Sequence, residues 1–210
     1  MKRPEVPKTL EQKLSVIGRE ISEDRYMIME YLAPVVDGCR AALRASVDKL
    51  YALKEMSEEE IEEILDAPSI SYANLTVCFR ATDTGEVVSI AFEDSKPKVY
   101  DDCVDPDVVM SADMDTFSQL LDADSKLSPV DALGTRLQVA GNDSESIFEA
   151  LGLMCFPPLW RMARSGIDPS SLLAEDADSL IVAAASDLVT RIVKRWIDLV
   201  TSGCAEAERH

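Results

Sequence analysis

Apolar positions along the chain change period twice, and those changes divide it into three parts. Leu10, Leu14, Ile17, Ile21 and Ile28 recur at spacings of three, four and seven, which predicts an amphipathic helix ended by Pro34 and Gly38. A second helix is expected from about Arg40 to Leu53, with Ala42, Leu43, Val47, Leu50 and Tyr51 apolar. Ser57-Glu58-Glu59-Glu60 has the form of a capping box, and Met56 and Ile61 the spacing of a hydrophobic staple, for a helix ending near Asp66.

From Ile70 the period falls to two. Ala73, Leu75, Val77 and Phe79 alternate with polar neighbours, as do Val88, Ile90 and Phe92 after the Asp83-Thr84-Gly85 turn. Ser95-Lys96-Pro97 predicts a further turn, Lys98 to Asp101 a third strand, and Val108-Val109-Met110 a fourth. Short strands joined by tight turns imply an antiparallel meander. Asp113 then suits an N-cap for a short helix carrying Phe117, Leu120 and Leu121, followed by a helical turn from Pro129 to Leu133. Thr135 to Ala140, with Leu137 and Val139 apolar, predicts the fifth strand.

Beyond Gly141, Asn142 or Asp143 is expected to cap a helix bearing Ile147, Phe148, Leu151 and Met154, stopped by Pro157-Pro158. Asp168-Pro169 reads as the start of a long last helix reaching about Ser202. Its main stripe is Leu173, Ala177, Leu180, Ala184, Leu188, Ile192, Trp196 and Leu199. A second row runs through Ile181, Ala185, Val189, Val193, Ile197 and Val200. So broad a band needs two contacts. The first helix offers one, and the sheet module or a second copy of the chain the other, so a homodimer through the terminal helices is one expectation.

The fold class expected is therefore α+β: a five-stranded antiparallel sheet covered by helices, with helical extensions at both ends. The expected parts are residues 1–56 as an N-terminal helical arm, 57–155 as the α+β domain, and 156–210 as a C-terminal extension on the same core.

Charge narrows the function. The 210 residues carry a formal net charge of −18, and residues 57–150 hold 22 of the 39 acidic residues against five basic ones. That disfavours a nucleic-acid binder, which needs a basic face, and docking on anionic lipid. The only histidine is His210, so histidine-based catalysis and metal binding find no support, and no nucleotide-binding glycine loop or nucleophile motif occurs. No catalytic residue, cofactor or metal site is expected. No apolar run is long enough for a transmembrane segment, and the first residues do not read as a signal peptide. Cys39, Cys78, Cys103, Cys155 and Cys204 are widely spaced, which predicts free thiols in a cytoplasmic protein.

The stretch from Pro106 to Leu153 resembles the sterol carrier protein family of lipid-binding domains. Pro106-Asp107-Val108-Val109-Met110 fits that family's strand, and Asp115-Thr116-Phe117 with Leu120-Leu121 its helix. Thr135-Arg136-Leu137-Gln138-Val139-Ala140-Gly141-Asn142 fits its last strand and exit. The sequence departs from the family pattern at Thr135, Gln138 and Asn142, which stand where a glycine, a lysine and an aspartate are usual. With the preceding meander the resemblance covers about residues 57–155.

It implies a non-enzymatic protein that binds or transfers a hydrophobic small molecule or lipid, whether fatty acyl, isoprenoid or sterol-like, in an apolar cavity between sheet and helices. The lining expected is Val77, Phe79, Ile90, Phe92, Met110, Phe117, Leu121, Leu133, Val139, Ile147, Phe148, Leu151, Met154, Phe156 and Trp160. Phe156 and Trp160, beside the two prolines, would form a movable lid. The competing reading is that these side chains are plain core, and that the fold serves as a protein–protein interaction or regulatory module with a closed cavity.

Overall fold

A computed structural model describes residues 9–23, 25–53, 59, 72–94, 96–122, 124–164 and 177–207. The helices are α1 (Leu10–Glu23), α2 (Arg25–Leu53), α3 (Met114–Leu120), α4 (Pro129–Ala132), α5 (Ser144–Arg164) and α6 (Ala177–Ala207). The strands are β1 (Asn74–Ala81), β2 (Val87–Glu93), β3 (Lys96–Tyr100), β4 (Val108–Ala112) and β5 (Gln138–Gly141). The expected capping box and staple around Ser57 and the Asp168-Pro169 helix start lie outside the described residues. So do the side chains of Leu173, Ala177, Leu180 and Ile181.

The strands form one sheet in the order β3-β2-β1-β4-β5. It is mixed rather than antiparallel, because β1 and β4 pair in parallel, with Val77 opposite Val108 and Ala81 opposite Ala112. The reason is a crossover. The β1–β2–β3 meander ends at one edge, with Tyr100 opposite Ser89 and Ser89 opposite Cys78. Residues 101–107 then carry the chain back across β2 and β1 to the far side of β1. Ser89 Oγ donates to the Asp102 carbonyl at 2.7 Å, and Cys78 forms a disulfide with Cys103. Thr76 N donates to Asp107 Oδ2 at 2.8 Å, and Asp107 N to the Thr76 carbonyl at 3.0 Å. Side-chain alternation is the same in parallel and antiparallel strands, so the sequence pattern carried no sign of this pairing.

The disulfide corrects the expectation of five free thiols. Cys39 and Cys155 are free and buried. Cys78 and Cys103 are 25 residues apart in sequence, and only the folded-back crossover brings their Cα atoms to 5.6 Å.

Two strand starts also differ from expectation. Lys96 and Pro97 belong to β3, not to a turn, with Pro97 opposite Phe92. Proline is tolerated there because β3 is an edge strand. Strand β5 begins at Gln138, preceded by an isolated Leu133–Leu137 bridge.

Prolines and glycines expected to end helices do not end them. Helix α2 runs through Pro34 and Gly38. At Gly38 the missing side chain lets α6 approach: a Cβ there would lie 2.7 Å from Val189 Cβ and 2.8 Å from the Ser186 carbonyl oxygen. Thr190 Oγ1 donates to the Gly38 carbonyl at 3.2 Å, and Lys49 pairs with Asp198 further along. The partner of the long last helix is therefore α2, not α1. Its most buried row is Ala185, Val189, Val193 and Ile197, joined by Ile192, whereas Ala184, Leu188, Trp196 and Leu199 are half-buried.

Helix α5 likewise continues through Pro157 and Pro158. A proline inside a helix costs roughly 3 kcal/mol. Phe156 and Leu159, each 3% exposed, continue the apolar surface of Leu151 and Met154 across the prolines. Burying such side chains returns about 1.5–3 kcal/mol each, enough to offset the break. The expected lid is thus part of one helix, and the domain boundary at 155/156 falls inside α5.

The architecture is layered. The sheet face bearing Val77, Phe79, Ile90 and Met110 is covered by α1, α3 and α5, and α2 pairs with α6 outside them. Helix α1 lies on β2 and β3, where Gly18 faces Pro97, Val99 and Ile90. Its first turn is tied by polar contacts: Leu10 N donates to Glu86 Oε1 at 2.9 Å, and Lys13 Nζ to the Ser118 carbonyl at 3.3 Å. One core runs from Leu10 to Ile197.

Candidate functional site

The inner sheet face sets the first wall of the site. Register places Val77 opposite Ile90 and Phe79 opposite Met110, with Phe92 opposite Leu75. Strand alternation turns all of them to the helices. Asp113 fixes the second wall. Its Oδ1 accepts from Thr116 N at 2.6 Å and caps α3, which sets Phe117 edge-on to Phe79 with centroids 5.5 Å apart. Hydrogen bonding from Thr116 holds the Asp113 carboxyl below its usual range. Asp143 caps α5 in the same way, accepting from Ser146 N at 2.8 Å.

Helix α5 supplies Ile147, Phe148, Leu151, Met154, Phe156 and Trp160. Residues 147–157 are buried without a break, so this stretch of α5 is enclosed on all sides, between the sheet and the α2–α6 pair. Phe148 meets Trp196 of α6 edge-on at 5.7 Å, and Phe156 stacks on Trp160 at 6.4 Å. Leu121 follows α3 and Leu133 follows α4, both buried. Of the fifteen expected lining residues, Val139 and Trp160 are half-buried and the others buried, and all pack in or against the same core.

Nothing in the sequence pattern singled out a polar cluster at the edge of this wall. It consists of Cys39 from α2, Tyr72 just ahead of β1, and Glu149 and Cys155 from α5. Tyr72 N donates to Glu149 Oε1 at 3.3 Å. Burial, then the Glu149 carboxylate, pushes the Cys39 thiol up to about 12. Burial, then Cys39, raises Cys155 as well, and Cys155 Sγ donates to the Leu151 carbonyl. Tyr72 is raised well above its ordinary value, by burial first and then by Glu149 and the two thiols. Protonated thiols are poor nucleophiles and poor ligands. The one available signal was Glu149, an acidic residue inside the apolar run of α5.

Among the described residues no group of three or more His, Cys, Asp or Glu is placed to hold a metal ion, and no helix is long and apolar enough to cross a membrane. Compared with protein families, curated proteins and solved structures, the chain matches none.

Proposed function

We propose that the protein binds, without catalysis, an apolar ligand between the inner sheet face and helices α3 and α5, and carries or presents it. The observation that carries this reading is the gathering of the expected lining residues, from four strands, two helices and the residues just after α3 and α4, onto one continuous apolar interface. Removing a hydrocarbon chain from water there would supply about 0.8 kcal/mol per CH₂, so affinity requires no reactive group. A fatty acyl, isoprenoid or sterol-like compound has the matching chemistry, in line with the resemblance of residues 57–155 to sterol carrier proteins.

A second reading is favoured by the aromatic contacts Phe79–Phe117 and Phe148–Trp196, which fill space between the layers. On that reading the core is closed and the protein is an interaction module. The apolar row of α6 already rests on α2 of the same chain, which removes the main motive for a homodimer through that row. The Cys78–Cys103 bond likewise removes the thiol argument for a cytoplasmic location.

Native mass spectrometry of freshly purified protein, before and after organic extraction, separates the two readings. Ligand binding predicts a heavier species that extraction converts to the bare chain and that added lipid restores. A bare chain throughout, with no tryptophan fluorescence change on lipid addition, selects the closed module.

A further inference from the structure

Tyr72 is one of four described residues, with Arg40, Ser46 and Thr116, whose buried side-chain polar atom has no hydrogen-bond partner, and the one aromatic among them. It is 5% exposed, and its ring packs on Phe92 with centroids 5.3 Å apart. Its backbone lies in the left-handed region at φ +46°, a conformation unusual for an aromatic residue. Yet the buried phenol oxygen has no hydrogen-bond partner. Buried hydroxyls nearly always have one, and phenylalanine would fill the same space without the penalty.

The hydroxyl sits over Gly152 of α5, where a Cβ would lie 2.5 Å from Tyr72 Oη and 3.0 Å from Val35 Cγ1. Any other residue at position 152 would take the room the phenol occupies. The neighbouring polar group is the Glu149 carboxylate, whose field reaches the phenol. A donor hydroxyl beside a carboxylate suits a neutral oxygen acceptor, whereas a second carboxylate would face like charge in an apolar setting.

We propose that the Tyr72 hydroxyl is the polar anchor for the ligand, donating to a neutral oxygen head, an alcohol or an ester carbonyl, on a chain that lies along the sheet–helix interface. This rests on the ligand-binding reading above and names its head-group class.

The test uses the full chain and three probes delivered from cyclodextrin: hexadecanol, palmitate and hexadecane, titrated by tryptophan fluorescence. The wild type should bind hexadecanol about three- to tenfold more tightly than either other probe, the range one net hydrogen bond gives. Tyr72→Phe should lose that preference, bind hexadecane as the wild type does, and unfold at the same temperature or higher. Infrared spectra of bound methyl palmitate labelled at the carbonyl supply a readout on the unaltered protein. The carbonyl band should shift to lower frequency, and Tyr72→Phe should remove the shift. Equal affinities for the three probes in the wild type, or a preference that survives Tyr72→Phe, overturns the anchor and leaves the binding reading standing. Failure of all three probes to bind overturns both.

Discussion

At the scale of single residues, polar side chains set the geometry of an apolar site. Asp113 is legible in the sequence as a cap, and the structure shows what it positions: the first turn of α3, and hence Phe117 against Phe79. Asp113→Ala should destabilise the protein by about 1 kcal/mol in a urea titration. Its carboxyl titrates lower in the folded state than in the unfolded one. Its contribution is therefore present above the unfolded-state pKa and lost as pH falls through the folded value, and Asp113→Ala should show a shallower acid loss than the wild type. Cys39 runs the opposite way. Its thiol is raised from 9.0 to about 12, so its contribution is full below pH 9.0 and is lost as pH rises toward about 12. Thermal melts across that window should show a steeper alkaline decline for the wild type than for Cys39→Ala. Equal slopes would mean that the thiol is not buried as the structure shows.

At the scale of elements, glycine and proline have meanings that depend on the surroundings. Gly38 reads locally as a helix breaker, but it sits where α2 and α6 come closest. Gly38→Ala gains up to about 1 kcal/mol of helix propensity. It also places a methyl group against Val189 and the Ser186 carbonyl, an overpacking cost of roughly 1–3 kcal/mol. The net expectation is destabilisation, with Gly38→Val worse than Gly38→Ala. If Gly38→Ala raises the melting temperature, the α2–α6 approach is looser than described. Val189 is fully buried in the same contact. Val189→Asp should cost several kcal/mol by burying an unpaired charge, seen as a large drop in the urea midpoint.

At the scale of the whole molecule, the crossover from β3 to β4 decides the topology, and the disulfide fastens it. Closing a loop of this length is worth about 3 kcal/mol in the chain-entropy account. Reduction, or Cys78→Ser with Cys103→Ser, should lower the unfolding free energy by about that amount. Alkylation of denatured, unreduced protein should leave Cys78 and Cys103 unlabelled. Labelling at either position would show the pair to be open in solution. Because the crossover lies on the face opposite α1, α3 and α5, its loss should leave ligand binding on the inner face nearly intact.

Local chemistry on its own determined the five strands to within a few residues, the Asp113 cap and the identity of the inner-face residues, and it narrowed the α5 cap to Asn142 or Asp143. Periodicity and capping depend on neighbours within a few positions, and Val77, Phe79, Ile90 and Phe117 are all where that reasoning places them. Tertiary structure alone decided the rest. Parallel pairing of β1 with β4, the Cys78–Cys103 bond, and α2 rather than α1 as the partner of α6 each join residues far apart in sequence. Helices α2 and α5 pass through their prolines because packing against distant elements outweighs a local preference. The Tyr72–Glu149–Cys39–Cys155 cluster is the same kind of result: positions on α2, on α5 and just ahead of β1 become one buried polar site only when the core closes around them.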